Sequence, residues 1–218
     1  MRHYHPLLAR VFVVSWLPLA SGAAWADTPP TFAAAVADFE LGRGGDGGAT
    51  ERASNTFRVL SDSEPRNPTY LAYYGASLTV MARDAWAPWT KMKLADRGLA
   101  LIDDALRMLG PEQDRVGIRG VPVSMETRLI AASTFLGVPA ALNRLEAART
   151  VVAAARTRSG FGSTPASVRA SFEHLGSQVA RRDGDGAAER ASLLRALELW
   201  PEAPFAASAH ERLKELSR

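Results

Sequence analysis

The sequence contains no cysteine among its 218 residues. Disulfide bonds, thiol nucleophiles and cysteine-ligated metal sites are therefore excluded, and packing alone must stabilise the fold. Aromatic residues are few, at 8%, while charged residues, at 22%, are close to the average for globular chains. Hydrophobic residues make up 47% of the sequence, which is enough to form a core. The composition predicts a folded chain and argues against wholesale disorder.

The chain also lacks a strong excess of either charge. Its formal net charge is +3, and two of the positive charges, Arg2 and Arg10, lie in the first 26 residues, which contain no acidic residue. Without that segment the net charge falls to +1. Nucleic-acid binding requires a concentrated basic stripe, so we expect no nucleic-acid partner.

The first 26 residues have the composition of a secretory signal peptide. The basic stretch "MRHYHPLLAR" precedes the uncharged run "VFVVSWLPLASGAAWA", which ends in an A-x-A cleavage site. We therefore predict a signal peptide over 1–26, cleaved after Ala26, and a periplasmic or secreted protein. The alternative is that 11–26 is retained as a membrane anchor, although it contains Pro18 and is shorter than the usual span of about 20 residues.

Beyond the signal segment, apolar residues recur with the helical period of 3.6 in nearly every window, and strand-like alternation is almost absent. Glycine- and proline-containing stretches separate the periodic segments. The sequence thus predicts a single all-α domain over 27–218, with helices at about 31–42, 49–61, 68–83, 90–109, 112–136, 139–157, 165–181, 187–199 and 203–217.

A repeated unit is visible in the stretch "PTYLAYYGASLTVMARD". Leu71, Tyr74, Gly75 and Leu78 have the spacing W-x-x-L-G-x-x-Y, with which a tetratricopeptide repeat begins. A glycine at this position lets the two helices of a hairpin approach closely.

The stretch "ERASNTFRVLSDSEP" has the spacing with which that repeat ends. Ala53 and Phe57 form A-x-x-x-F, and Pro65 follows eight residues later. The intervals between Phe57, Leu60 and Pro65 recur near the end of the chain at Leu193, Ala196 and Pro201. On these motifs the chain resembles the tetratricopeptide-repeat (TPR) family.

The resemblance is clearest over 35–111. Within it, Leu41-Gly42 precedes Tyr74-Gly75 by 33 residues, one fewer than the 34-residue period. We interpret 112–186 as divergent helical hairpins and 187–218 as a C-terminal repeat-like hairpin. The resemblance implies a TPR-like α-solenoid of antiparallel hairpins, and the alternative is an irregular α-helical bundle.

The stretch "GRGGDGG" at 42–48 formally matches the dinucleotide-binding pattern G-x-G-x-x-G. That pattern requires a buried strand before the glycines, whereas here Asp38 and Glu40 lie within four residues of Gly42. We therefore predict that 43–48 lies outside regular secondary structure, between two antiparallel helices, and binds no phosphate.

Candidate metal and catalytic sites are weak. Beyond the signal segment, His174 and His210 are the remaining histidines and lack ligand spacing. A calcium loop beginning at Asp183 would need glycine and glutamate at its sixth and twelfth positions, where Ala188 and Leu194 stand. With no trusted catalytic motif either, we predict no metal, no cofactor and no enzymatic activity.

The stretch "ARDAWAPWTKMK" interrupts the repeat pattern and supplies the candidate partner-binding residues. We interpret Trp86 and Trp89, which flank Pro88, either as a core plug covering an inserted loop, which is the preferred interpretation, or as exposed binding anchors. Arg83 and Lys91 accompany them. Tyr73 completes the candidate set, because Tyr74 takes the packing position of the repeat and leaves Tyr73 to face solvent.

The resemblance implies a non-catalytic scaffold or adaptor that binds a protein or peptide at the cell envelope. An alternative is a small-molecule-binding or hydrolytic helical protein with a pocket near Trp86 and Trp89. A closed pocket with converging polar groups would favour this alternative.

Overall fold

The computed structural model describes residues 30–115, 117 and 120–217. The predicted signal peptide therefore lies outside the described residues. Within them the fold is all-α: nine α-helices pack against one another and no strand is present. The helices are α1 (Pro30–Arg43), α2 (Gly47–Ser63), α3 (Pro68–Asp84), α4 (Pro88–Arg107), α5 (Val123–Gly137), α6 (Leu145–Arg156), α7 (Ala166–Asp183), α8 (Gly186–Leu199) and α9 (Ala206–Glu215).

Most predicted helices are confirmed to within a few residues, but the prediction of one helix over 112–136 is wrong. A short 3₁₀ turn at Pro111–Asp114 is followed by an irregular segment, and α5 begins only at Val123. Gly120 has a φ of 70°, and Pro122 precedes the first residue of α5. A positive φ and a proline both break a helix. The apolar periodicity continues across this break, which is why the sequence predicted a single helix.

Each helix packs against its neighbours in the chain, and α1, α3, α5 and α7 also pack one against the next. Thus α3 contacts α1, α2, α4 and α5, while α5 contacts α7 as well as α4 and α6. Helices α1, α3, α5 and α7 therefore form one continuous row. The main core lies within this row and buries side chains from α1 to α7.

The predicted close approach at Gly75 is confirmed. A Cβ atom on Gly75 would lie 2.5 Å from the carbonyl oxygen of Gly98, and one on Gly98 would lie 2.5 Å from that of Gly75. The backbones of α3 and α4 therefore cross at this glycine pair. Gly42 likewise lies against Thr50 of α2, but the adjacent Leu41 is exposed and does not take the packing position that its repeat spacing implied.

Two buried carboxylates connect the later helices. Glu173 of α7 accepts hydrogen bonds from Arg156 of α6 at 2.7 Å and from Arg195 of α8 at 3.0 Å. Glu189 of α8 accepts two hydrogen bonds from Arg212 of α9, at 2.7 and 2.9 Å. Buried carboxylates are tolerated when they are paired in this way, and the pairs fix the positions of α6 to α9 relative to one another.

The glycine-rich stretch is a tight turn, shorter than predicted. Arg43 ends α1 and Gly47 begins α2, so only 44–46 lies outside helix; the prediction of 43–48 is too long. Gly45 has a φ of 113°, and Asp46 caps α2 by accepting a hydrogen bond from the Ala49 amide at 2.9 Å. The short connection makes α1 and α2 an antiparallel pair, as predicted.

The same turn recurs between α7 and α8. Gly184 has a φ of 76°, and Asp185 accepts a hydrogen bond from the Ala188 amide at 2.9 Å. The Asp185 amide donates to the Ala180 carbonyl at 2.9 Å, as the Asp46 amide donates five residues back at 3.1 Å. A left-handed glycine that ends one helix and an aspartate that caps the next are thus used twice.

Candidate functional site

The candidate site is the α3–α4 corner, which we define as residues 83–92. Helix α3 ends at Asp84, three residues make the turn, and α4 begins at Pro88. Proline is well suited to the first helical position, because its φ is already helical and its missing N–H is not needed there. The stretch that the sequence suggested was an inserted loop is therefore mostly helical. It forms the end of α3 and the beginning of α4, beyond the crossing at Gly75 and Gly98.

Both tryptophans of the corner lie on the surface. Trp86 is 91% exposed, Trp89 is 72% exposed, and Met92, three residues further along, is 53% exposed. The preferred interpretation of the tryptophans as a core plug is therefore wrong, because there is no inserted loop for them to cover. The geometry leaves the alternative, in which they are exposed side chains available for binding.

Arg83 fixes the corner to the end of α1. Its guanidinium donates to the carbonyl oxygens of Gly42 and Arg43, each at 2.9 Å, and to the Asp84 carboxylate at 2.6 and 2.8 Å. The hydrogen bond to Asp84 raises the pKa of Arg83. Because its donors are engaged in this way, Arg83 has the role of a positioning residue that caps the last carbonyls of α1.

Lys91 connects the first turn of α4 back to α3. Its Nζ donates to the Arg83 carbonyl oxygen at 3.1 Å, while the side chain stays largely exposed. This hydrogen bond and those of Arg83 hold both sides of the three-residue turn. The backbone that carries Trp86 and Trp89 is consequently constrained.

The prediction that Tyr73 faces solvent is wrong. Tyr73 is only 3% exposed, its ring stacks on Phe57 at 4.7 Å, and its hydroxyl donates to Glu126 at 3.2 Å. Tyr74 is buried as well. Helix α3 is surrounded by α1, α2, α4 and α5, so it lacks the open face that a two-layer hairpin would leave.

A cavity of about 410 Å³ lies away from the corner, between the α2–α3 turn and the start of α5. Its lining includes Glu64, Asn67, Gln113 and Val123, but neither tryptophan. It therefore does not provide the pocket that the small-molecule alternative places near Trp86 and Trp89.

Within the described residues there is neither a candidate metal site nor a candidate membrane span. No group of three or more histidine, aspartate or glutamate side chains in this part of the chain is arranged to hold a metal ion. Among the same residues, no helix combines the length and apolar character needed to cross a bilayer.

Sequence reasoning missed Met92 of the corner and Lys93, the residue directly after it. Met92 lies three residues after Trp89 within α4, an interval that places the two side chains on neighbouring parts of the helix surface, while Trp86 lies on the turn just before the helix. Both Met92 and Lys93 are exposed. The spacing was readable in the sequence, but its meaning depended on knowing that this stretch is helical.

Comparison of the chain with protein-family models, with curated proteins and with solved structures finds no match. The interpretation of the corner therefore rests on the residues and geometry described above.

Proposed function

We propose that this protein is an exported TPR-like α-solenoid that acts as a non-catalytic scaffold or adaptor at the cell envelope. It binds a protein or peptide partner through the α3–α4 corner. The observation that carries the proposal is the pair of exposed tryptophans, Trp86 on the α3–α4 turn and Trp89 in the first turn of α4, at a corner that Arg83 and Lys91 hold in place. Export rests on the composition of residues 1–26.

The packing order supports a solenoid. Extensive contacts join helices that are adjacent or next but one in the chain, and the next-but-one contacts join odd-numbered helices. In a stacked hairpin array, each unit contacts its neighbours in the same way. A closed bundle would also bring distant helices together.

Side-chain spacing in the even-numbered helices supports the TPR-like interpretation. Each of them buries or partly buries residues at positions n, n+4 and n+7, which are the intervals of the second helix of a TPR. These residues are Ala53, Phe57 and Leu60; Gly98, Ile102 and Ala105; Ala148, Val152 and Ala155; and Glu189, Leu193 and Ala196. Amphipathic helices in general share this spacing, so it is weak support by itself. The close crossing of α3 and α4 at Gly75 and Gly98 is more specific and supports the TPR-like interpretation further.

Tryptophan is a favourable anchor for a partner. Its large ring buries much apolar area while few rotatable bonds are frozen, and it is enriched at the residues that dominate binding energy. A constrained turn reduces the ordering cost further. While Trp86 and Trp89 are exposed to water, the favourable free energy of burying their rings is not gained. Binding a partner would bury the rings and gain it.

The proposal can be tested by crosslinking the protein in its native envelope and identifying what is captured. We expect Trp86→Ala and Trp89→Ala to lose the captured protein while keeping the helical circular dichroism of the parent. Val59→Ala on α2 is the matched control, since Val59 is also an exposed apolar residue but lies outside the corner. Capture that is unchanged in both tryptophan variants would contradict the proposal.

A further inference from the structure

The α3–α4 corner and the adjoining turns of α4 carry a local excess of positive charge. Lys91, Lys93 and Arg97 are all exposed on α4, whereas Asp96 is the acidic residue among them. Arg83 is paired with Asp84, so these two charges largely cancel. Cations therefore lie beside the exposed apolar side chains.

The start of α4 adds to this positive potential. Its first turn has no acidic residue, and Ala87 at the N-cap makes no side-chain hydrogen bond to the helix. Lysines this near a helix N-terminus are opposed by the helix dipole, and an anionic group would be favoured there. Lys91 already donates to the Arg83 carbonyl at the end of α3, so it is chiefly the unfavourable placement of Lys93 that a partner with carboxylates would relieve.

On this basis we infer that the partner presents an extended segment combining apolar side chains with aspartate or glutamate. The apolar side chains pack on Trp86, Trp89 and Met92, and the carboxylates face Lys91 and Lys93. This inference rests on the proposed function and specifies the chemistry of its partner. The recognition is a protruding apolar ridge with a lysine on either side of it, since residues two apart on a helix point to different sides, and it is matched by a segment whose carboxylates flank its apolar groups.

The balance of charges favours such a segment over an anionic lipid surface. Polybasic regions that recognise anionic lipids contain about four to eight basic residues. Here the first half of α4 has three exposed cations, Lys91, Lys93 and Arg97, and they are accompanied by the exposed Asp96. Three cations offset by one carboxylate fall below that number, whereas a peptide needs only enough carboxylates to face the two lysines.

A selection from a random peptide library tests the inference. Wild-type protein is the target, and the Trp86→Ala/Trp89→Ala double variant is used to remove peptides that bind elsewhere. We expect the enriched peptides to combine aspartate or glutamate with leucine, phenylalanine or other large apolar residues. Enrichment of basic peptides, or of purely apolar ones, would overturn the inference.

Charge reversal gives a quantitative readout with one enriched peptide. Lys91→Glu/Lys93→Glu should weaken its affinity about tenfold or more at low salt, with a smaller effect at high salt because screening removes the electrostatic part. Arg107→Glu is the matched control, since Arg107 is an exposed cation on the last turn of the same helix. Equal weakening by the control would contradict a specific role for the two lysines.

Two other occupants are distinguished by separate measurements. Cosedimentation with phosphatidylglycerol vesicles, if lost in the tryptophan double variant, would assign the corner to a lipid surface and overturn the inference. Self-association that depends on the tryptophans, measured by analytical ultracentrifugation, would assign it to a second copy and overturn it too.

The failure of this inference differs from the failure of the proposed function. If crosslinked capture depends on the tryptophans but survives Lys91→Glu/Lys93→Glu, a protein partner remains and the acidic chemistry is wrong. If capture survives both sets of substitutions, the corner is not the binding site.

Discussion

Phe57 and Trp86 are both large aromatic residues, yet one is completely buried and the other is 91% exposed. Phe57 lies on the inner face of a helix between neighbours on both sides, whereas Trp86 lies on a turn that extends beyond them. The repeat spacing predicted that Tyr73 faces solvent, and the preferred interpretation of an inserted loop placed Trp86 in the core; both predictions were wrong. Burial depended on which helices surround α3, and this arrangement is not encoded in the local spacing.

The tryptophans should therefore contribute little to stability. We expect Trp86→Ala and Trp89→Ala each to change the free energy of unfolding by no more than about 0.5 kcal/mol, as for most surface substitutions. Phe57→Ala should lower it by about 3–5 kcal/mol, since a cavity would be left in the core. Urea denaturation followed by circular dichroism measures both, and a large loss in either tryptophan variant would show that its side chain packs in the fold.

The glycine pair makes a second prediction at the residue scale. Gly75→Ala should lower the free energy of unfolding by about 1–3 kcal/mol, because its Cβ would press on the Gly98 backbone and force α3 and α4 apart. Gly47→Ala is the control, since a Cβ there meets no atom within 4 Å. If Gly75→Ala and Gly47→Ala have the same urea midpoint, the close crossing at Gly75 is contradicted.

At the scale of the elements, the helices were largely predictable and their breaks less so. Pro68 and Pro88 at helix starts and Gly184 at a helix end are local signals, so they mark the helix ends they stand beside. The interruption before α5 was missed because Pro122 stood within an apolar pattern that continues on both sides. The proline predicted a break there and the periodicity predicted a continuous helix, and the structure has the break.

A repeat-like pattern in α7 was also missed. Phe172, Leu175, Gly176 and Val179 have the spacing F-x-x-L-G-x-x-V, which matches the beginning of a TPR as closely as the pattern in α3. Gly176 lies near Ser192 of α8. The pattern was readable in the sequence, in a region we had interpreted as lacking repeat signatures. By contrast, the hydrogen bonds between Arg83 and the end of α1 could not be predicted from the sequence, because they join residues 40 or more positions apart.

The contact between α7 and Phe205, the residue just before α9, makes stability depend on pH. His174 stacks on Phe205 at 4.1 Å, and burial lowers the pKa of His174 to about 4 from its usual 6.5. Between pH 6.5 and 4 the unfolded chain takes up a proton that the folded protein does not, so stability falls as the pH is lowered. The loss attributable to this residue should reach about 3 kcal/mol once the pH is near 4.

Urea denaturation from pH 4 to pH 7 measures this dependence. His174→Phe, which keeps a ring against Phe205, should flatten the pH profile relative to wild type over that window. His210→Gln is the control, because His210 is exposed. An unchanged profile in His174→Phe would show that other groups produce the acid sensitivity.

At the scale of the whole molecule, the proposal of an exported protein makes a direct prediction about its N-terminus. Mass spectrometry of the protein purified from its native envelope should give a chain beginning at Asp27, since cleavage is expected after Ala26. A chain beginning at Met1 would contradict cleavage and favour the membrane-anchored alternative.

The second, smaller core cluster has a consequence for how the molecule opens. Helix α9 packs mainly on α8, and the apolar side chains that hold it, including Phe205 and Ala209, are separate from the main cluster around α3 and α5. We therefore expect its amide hydrogens to exchange with solvent through a local opening of low free energy, while those of α3 and α5 exchange only when the whole protein unfolds. Native-state hydrogen exchange measured along a urea series resolves these two classes, and the C-terminal helix would form the least stable cooperative unit of the chain.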